Sequence, residues 1–157
     1  MRQLTGLDAS FLYLESPTTF GHVSGLGLYS RPTPDFDPYK VVLQRFSWLA
    51  SQVAPLHEKL HPVPFGLDHP YWVSDNDFDA TYHVRHLGLA PPGDLSQLTD
   101  QVARIFGRAL DRSRPLWEVY VIEGLRDGRW ALMTKFHHSA IDGGAGVVLL
   151  NMLTDQS

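Results

Sequence analysis

Two adjacent histidines, His137 and His138, are the residues of this sequence best suited to acid–base chemistry near neutral pH. A neutral imidazole, with an ordinary pKa of about 6.5, can take a proton from a bound alcohol or amine. Neighbouring residues on a strand point to opposite faces, so the pair cannot easily chelate one metal ion. His138 is in phase with Phe136, which predicts an imidazole at the mouth of a cleft. The alternative is a pair of hydrogen-bonded histidines that merely ends a strand.

The residues after the pair extend this candidate site. Asp142 and Gly143 form a turn that can bring a carboxylate back to brace the loop. A metal site of His138, Asp142 and a distant histidine is an alternative, although no HExxH zinc spacing is present. The sequence has no cysteine and no Gly-x-Ser-x-Gly elbow, and Ser139 should point away from His138, so a covalent route has little support. The pattern favours direct attack by a bound alcohol or amine.

Composition excludes several classes of protein. Of the 157 residues, 43% are hydrophobic and 19% charged, which suits a folded core. The net charge is −4 and no run of Lys or Arg occurs, which argues against binding to nucleic acid. The absence of cysteine fits a reducing compartment. Residues 1–5 lack a signal-peptide core, and no apolar window reaches the roughly 18 residues that a membrane span needs. We therefore expect a cytoplasmic protein that contacts membranes only peripherally.

Strands and helices alternate along the chain in a pattern typical of a mixed α+β, or α/β, fold. Residues 21–30 predict a strand, and a hairpin is predicted from strands at 117–122 and 130–138 around an Asp127-Gly128 turn. Residues 54–93 are rich in proline and predict a turn-rich segment with one short strand near 71–73. The acidic run in this segment, formed by Asp75, Asp77 and Asp79, is interpreted as a solvated turn.

Three helices are expected. The first begins at Pro38, is capped by Asp37 and ends at Pro55. Its apolar stripe is formed by Val42, Phe46, Leu49 and Val53 at 4-3-4 spacing. The second carries an apolar stripe from Leu95 to Leu110, with Gly107 weakening only its last turn. The third covers Val147 to Leu153 and is apolar on so many sides that it should need a covering partner.

Seven segments of the sequence, in order, resemble the bacterial wax ester synthase/diacylglycerol acyltransferase family. The His-His-x-x-x-Asp-Gly pattern alone is shared with a wider superfamily that includes chloramphenicol acetyltransferase and peptide condensation domains. The Pro-Leu-Trp-Glu element at 115–118 and the opening segment narrow the resemblance to this one family. The matching segments are 7–15, 22–23, 70–73, 78–84, 110–118, 122–125 and 135–143.

The resemblance implies a fold and an activity. The fold is half of a chloramphenicol acetyltransferase-like structure, a mixed sheet with flanking helices. The activity is acyl-CoA-dependent O-acyl transfer that makes triacylglycerol from diacylglycerol, wax ester from a long-chain alcohol, or both. Acyl-CoA is then a substrate, and neither a cofactor nor a metal is expected. The substrate-binding residues and the acyl chain length are not indicated.

The resemblance also assigns roles to the residues of the motifs. His138 is the general base, His137 supports the site, and Asp142 orients the loop. A structural or channel-lining role falls to the remaining motif residues, which are Pro115, Leu116, Trp117 and Gly143.

Members of the family are substantially longer than this chain. Residues 1–157 are therefore expected to be the N-terminal acyltransferase domain or a fragment of it, without the C-terminal domain. By itself such a fragment should be inactive and should need the missing half or self-association. Its site of action would be a membrane or lipid-droplet surface. Two alternatives remain, a catalytically silent module that binds lipid or acyl-CoA and a condensation-type enzyme that uses a carrier-protein thioester.

Overall fold

The computed structural model describes residues 1–141. Asp142, Gly143 and the helix expected at 147–153 lie outside the described residues. Two sheets are present in the described part, with strand orders β2-β7-β6-β5 and β1-β4-β3. The mixed α+β class with flanking helices is thereby confirmed. The elements in chain order are β1 (Arg2–Gln3), α1 (Gly6–Tyr13), β2 (His22–Tyr29), α2 (Pro38–Gln52), β3 (Glu58–His61), β4 (Tyr71–Ser74), α3 (Ala80–His83), β5 (Val84–Gly88), α4 (Leu95–Phe106), β6 (Trp117–Glu123) and β7 (Trp130–His137).

The β6–β7 hairpin forms the centre of the larger sheet. It has the predicted position and turn, with Trp117 opposite Phe136 and Gly128 in a left-handed conformation at φ 79°. β2 pairs antiparallel with β7, while β5 runs parallel to β6 on the other side. β6 and β7 are buried along almost their whole length, because helices cover both faces of the sheet.

α2 covers one face of the larger sheet. Its start is as predicted, because the Asp37 side chain accepts a hydrogen bond of 3.0 Å from the Lys40 backbone N–H and Pro38 fills the first turn. The helix ends at Gln52, three residues before the predicted stop at Pro55, which instead lies within a short 3-10 turn at Ala54–Leu56. Residues of the predicted apolar stripe pack against β6 and β7 in one cluster. The central members of this cluster are Val42, Phe46, Leu49, Trp117, Val119, Val121, Trp130 and Leu132.

α4 covers the opposite face, and it is shorter than the sequence predicts. The helix ends at Phe106, with Gly107 as its C-cap, so the predicted continuation to Leu110 is wrong. Side chains from the sheet terminate it. The buried Lys135 Nζ donates to the carbonyl of Ile105 at 3.0 Å, and the His22 ring lies 2.8 Å from the carbonyl of Phe106. These bonds satisfy carbonyls that the helix leaves unpaired at its end.

The segment 54–93 contains more structure than the sequence indicates. It supplies β3, β4, α3 and β5, whereas only the strand near 71–73 was expected. The acidic run forms a turn, as predicted, but it is solvated only in part, because Asp77 and Asp79 are exposed whereas Asp75 is buried. Asp75 is 8% exposed and pairs with Lys59 at 2.7 Å, and Asp79 caps α3 through the Thr81 N–H at 2.8 Å.

The smaller sheet and α1 are joined to the end of β7 by a second apolar cluster. Its central buried members are Leu12 of α1, Trp72 of β4, Leu116 and Ala140. Because Leu116 precedes β6 and Ala140 follows β7, this cluster holds α1 beside the position where the histidine pair lies.

Candidate active site

The histidine pair lies at the end of β7, where three other segments converge. His137 is the last residue of the strand, and its backbone N–H donates to the carbonyl of Leu116 at 3.0 Å. It lies opposite His22, the first residue of β2. The next backbone N–H, that of His138, donates to the carbonyl of Gly21 at 2.8 Å. The main chain of both histidines is therefore fixed from both sides.

The His137 side chain is buried and fully hydrogen-bonded. Its Nδ1 accepts a bond of 3.1 Å from the Ser139 backbone N–H and lies 2.6 Å from the Ser139 hydroxyl. Since Nδ1 is an acceptor, the proton of the neutral ring is on Nε2, which donates to Glu15 Oε1 at 3.1 Å. Burial lowers the pKa of His137, and the Glu15 carboxylate offsets part of that effect. His137 thus has no lone pair left to take a proton from a substrate.

Glu15 links His137 to two other groups. Its Oε1 also accepts from the Gly21 backbone N–H at 2.9 Å, and its Oε2 pairs with the Arg112 guanidinium at 2.5 Å. Burial alone would raise the pKa of Glu15, but the bonds from Arg112 and from Gly21 outweigh it and hold the pKa below its usual value. Arg112 also donates to the carbonyl of Leu12 at 2.6 Å. A charged carboxylate is therefore held against the neutral His137 ring.

Gly21 allows the close approach on which this arrangement depends. A Cβ atom at this position would lie 2.7 Å from His137 Nε2 and 2.9 Å from the carbonyl oxygen of Phe11. Neither neighbour can withdraw easily, because the ring is hydrogen-bonded and the carbonyl belongs to a helix. Only glycine fits between α1 and His137.

His138 has the opposite environment. Its side chain is exposed, and its ring is stacked on Phe11 of α1 with a centroid distance of 4.8 Å and an interplanar angle of 13°. The two histidines point to different sides, as the strand alternation predicts. An exposed imidazole beside a rigid, buried partner has the geometry of a proton acceptor for a bound hydroxyl group.

Ser139 is closer to a histidine than the sequence indicates. The expected separation from His138 does not prevent contact with His137, two residues earlier, which Ser139 meets through both its hydroxyl and its backbone N–H. Ser139 is 6% exposed, so this Glu–His–Ser arrangement is closed to substrates in the described part of the chain. The geometry suits a brace for the turn rather than a nucleophile.

The Pro-Leu-Trp element lies next to the histidines but inside the protein. Pro115, Leu116 and Trp117 are all buried. The Trp117 indole N–H donates to the carbonyl of Leu56 at 2.9 Å, and its ring stacks on His83 at 4.5 Å. The carbonyl of Leu116 also accepts the hydrogen bond from the His137 backbone N–H, and the structural or channel-lining role of the element stays a prediction. Gly143, the last residue of that predicted set, lies outside the described residues, as does Asp142.

No group of three His, Cys, Asp or Glu side chains within residues 1–141 could hold a metal ion. The alternative metal site included Asp142, so that prediction stays open. None of the described helices is both long and apolar enough to cross a membrane.

Four site residues were not singled out from the sequence as part of the site. Glu15, Arg112, Phe11 and Gly21 hold the histidines from elements far away in the chain, and Glu15 is 122 residues from His137. Three of them fall within the segments 7–15 and 110–118 that carry the family resemblance. The available signal was the position of Glu15 directly after the largely apolar segment 7–14.

Structural comparison defines the class of fold. A wax ester synthase/diacylglycerol acyltransferase from Marinobacter aquaeolei VT8 matches 96% of this chain with a TM-score of 0.78 at 35% identity, over 36% of its own length. The first condensation domain of the CDA synthetase matches 97% of the chain with a TM-score of 0.72 at 15% identity, which shows a shared fold alone. The fold is the acyltransferase fold that these two kinds of protein have in common.

Sequence comparison then identifies the family. Residues 4–157 match the wax ester synthase/diacylglycerol acyltransferase catalytic domain, and the chain belongs to this family. Two relatives from Mycobacterium tuberculosis are the probable diacylglycerol O-acyltransferases tgs1, 42% identical over 100% of this chain, and tgs3, 38% identical over 99% of it. The chain spans 34% of the length of the first and 57% of the second.

Proposed function

We propose that this chain carries the catalytic histidine of an acyl-CoA-dependent O-acyltransferase. The acceptor is diacylglycerol, giving triacylglycerol, or a long-chain alcohol, giving a wax ester. The observation that carries the proposal is the contrast between the two histidines at the end of β7. His138 offers an exposed imidazole, while the ring of His137 beside it is buried, which lowers its pKa, and is fixed in place by hydrogen bonds to Glu15 and Ser139. Relatives named diacylglycerol O-acyltransferases support the choice of reaction.

The proposed reaction is a direct transfer. His138 takes the proton of the acceptor hydroxyl as the oxygen attacks the thioester carbonyl of acyl-CoA. The C–O bond of the new ester forms, the C–S bond breaks, and the imidazolium returns its proton to the departing CoA thiolate. No covalent acyl-enzyme is required. Asp142 is proposed to orient the loop, and acyl-CoA enters as a substrate without any further cofactor.

The setting of the reaction is also part of the proposal. The chain spans between about a third and just over half of its relatives, so the complete cleft would need the remaining C-terminal part or self-association. Long acyl chains are insoluble in water, which favours a cytoplasmic protein that binds peripherally to a membrane or lipid-droplet surface.

The test is a His138→Ala substitution in the full-length gene product. Loss of the base should lower the rate of acyl transfer about 10²–10⁴-fold, with little change in stability because the side chain is exposed. His61→Ala is the matched control, an exposed histidine on β3 away from the site. Turnover near the wild-type rate in His138→Ala would refute the proposal.

The two alternatives give different results in the same assay. A silent binding module retains acyl-CoA without releasing free CoA thiol, and His138→Ala changes nothing. A condensation-type enzyme transfers acyl groups from a carrier-protein thioester faster than from acyl-CoA.

A further inference from the structure

Helix α1 and the residues directly after it contact both histidines through two side chains four positions apart. The Phe11 ring stacks on His138, and the Glu15 carboxylate accepts from His137. Glu15 also binds the Gly21 N–H, and the Phe11 carbonyl lies against Gly21. These contacts fix α1 to the start of β2 and to the end of β7. The position of Phe11 is therefore set by contacts that do not involve His138.

The Phe11 contact restricts an imidazole that has few other restraints from residues 1–141. Within residues 1–141 neither ring nitrogen of His138 has a hydrogen-bond partner, and the bond to Gly21 fixes only the backbone. The ring of His137, by contrast, is fixed at both nitrogens. A flat ring stacked at 4.8 Å and 13° sets the plane of the His138 imidazole and leaves its edge, with both nitrogens, without a hydrogen bond to residues 1–141.

We propose that Phe11 is a positioning residue for His138, holding the plane of the imidazole so that its nitrogen meets the acceptor hydroxyl in line. The inference rests on the proposed function, because it requires His138 to be the base. Catalytic groups need to be held within about 10–20° of their productive orientation. An aliphatic side chain would cover the same face of His138 but would not define its plane.

The direct test measures the stack itself. In the intact protein labelled with ¹³C-histidine, the ring protons of His138 should be shifted upfield by the ring current of Phe11. Phe11→Leu should abolish this shift, and Phe11→Tyr should keep it. Tyr13→Leu is the matched control, because Tyr13 is an exposed aromatic residue at the end of the same helix that contacts His69 instead. An unchanged His138 signal in Phe11→Leu would overturn the proposal.

The kinetic test separates positioning from substrate binding. Phe11→Leu should lower kcat about ten- to a hundredfold with little change in the KM for acyl-CoA, since misplacement of a catalytic group slows the chemical step. Phe11→Tyr should restore most of the rate, and Tyr13→Leu should leave it unchanged. Equal losses of kcat in Phe11→Leu and Phe11→Tyr would contradict a positioning role. So would a change in Phe11→Leu that is confined to KM.

The activity of His138→Ala shows whether a negative result concerns only the positioning role of Phe11 or the proposed function itself. If that variant is inactive while Phe11→Leu is fully active, only the positioning role fails. If His138→Ala is fully active, the proposed function fails and the positioning role of Phe11 fails with it.

Discussion

At the scale of single residues, the site depends on the difference that burial makes between two identical side chains. His137 is 1% exposed and bonded at both ring nitrogens, whereas His138 is exposed. The difference in exposure does not follow from the residue type, which is the same at both positions. It arises because β7 ends between them, so one ring stays inside the sheet layer and the other leaves it.

Gly21 provides a prediction at this scale. Gly21→Ala should place a methyl group 2.7 Å from His137 Nε2 and so break the bond to Glu15. We expect the free energy of unfolding to fall by about 1–3 kcal/mol, as in other overpacked sites. Urea denaturation measures this change, and the rate of the proposed acyl transfer should fall as well.

Gly88→Ala is the control for that substitution. Gly88 ends β5 and has no heavy atom within 4 Å of the position of a Cβ, so its change should stay within about 0.5 kcal/mol. Equal stability of the two variants would show that Gly21 is not confined by His137.

At the scale of elements, the ends of the helices determine how the site is assembled. α4 begins with a capping box in which Asp94 accepts from the Gln97 N–H at 2.9 Å and Gln97 accepts from the Asp94 N–H at 3.0 Å. It ends against Lys135 and His22, both from the sheet that carries the histidine pair. The length of this helix is therefore fixed by its own sequence at one end and by the sheet at the other.

The capping box gives a prediction for the element. Asp94→Ala should lower the free energy of unfolding by about 1 kcal/mol, since it leaves N–H groups of the first turn unpaired. Asp100→Ala, an exposed change in the middle of the same helix, should have a smaller effect. Thermal or urea unfolding compares the two. A larger loss for Asp100→Ala would contradict the role of the cap.

The sequence predicts an element well where local contacts define it and poorly where contacts from distant parts of the chain do. α2 was predictable because the Asp37 cap, Pro38 and the apolar stripe all lie within the helix itself. The four-residue strands β3 and β4 exist through their pairing with each other, so their composition alone gave a signal only at β4. The sequence predicts α4 too long because Lys135, 30 residues from Ile105, helps to end the helix.

The residues of the candidate site also fall into those that the sequence predicts and those that only distant contacts define. The histidine pair and the Trp117 element were visible as motifs, and the strand alternation gave their opposite orientation. Glu15, Phe11 and Gly21 were not visible, since their role depends on α1 packing against a strand more than a hundred residues away in sequence. Nothing local to residues 11–21 specifies that neighbour.

At the scale of the whole molecule, buried histidines should make stability depend on pH. Burial lowers the pKa of His22, His83 and His137, and nearby acceptors offset only part of this effect. Below the ordinary histidine pKa of about 6.5, the unfolded chain therefore binds more protons than the native protein. The native state should lose stability as the pH falls below that value, by up to about 1.4 kcal/mol per pH unit for each histidine.

Urea denaturation between about pH 5 and pH 8 tests this prediction above the range in which carboxylates titrate. Stability should be level above about pH 7 and should fall on acidification. In His83→Phe the free energy of unfolding should fall less steeply on acidification, because one of the three buried histidines no longer contributes. This holds even if the variant is less stable at every pH. A free energy of unfolding that is constant or increases on acidification would contradict the prediction.

The pairing of β2 with β7 has a consequence for how the chain finds its native alignment. The strands pair over eight positions, from His22–His137 to Tyr29–Trp130. Apart from His22, β2 is exposed or half-buried and includes two glycines, so burial does little to favour one register over another. A slide by two residues would keep every side chain on its face but would separate His22 from Phe106 and Gly21 from His137. The contacts that shape the candidate site, together with the stack of Tyr29 on Trp130 at the other end of the pair, thus also disfavour misaligned pairings as the sheet forms.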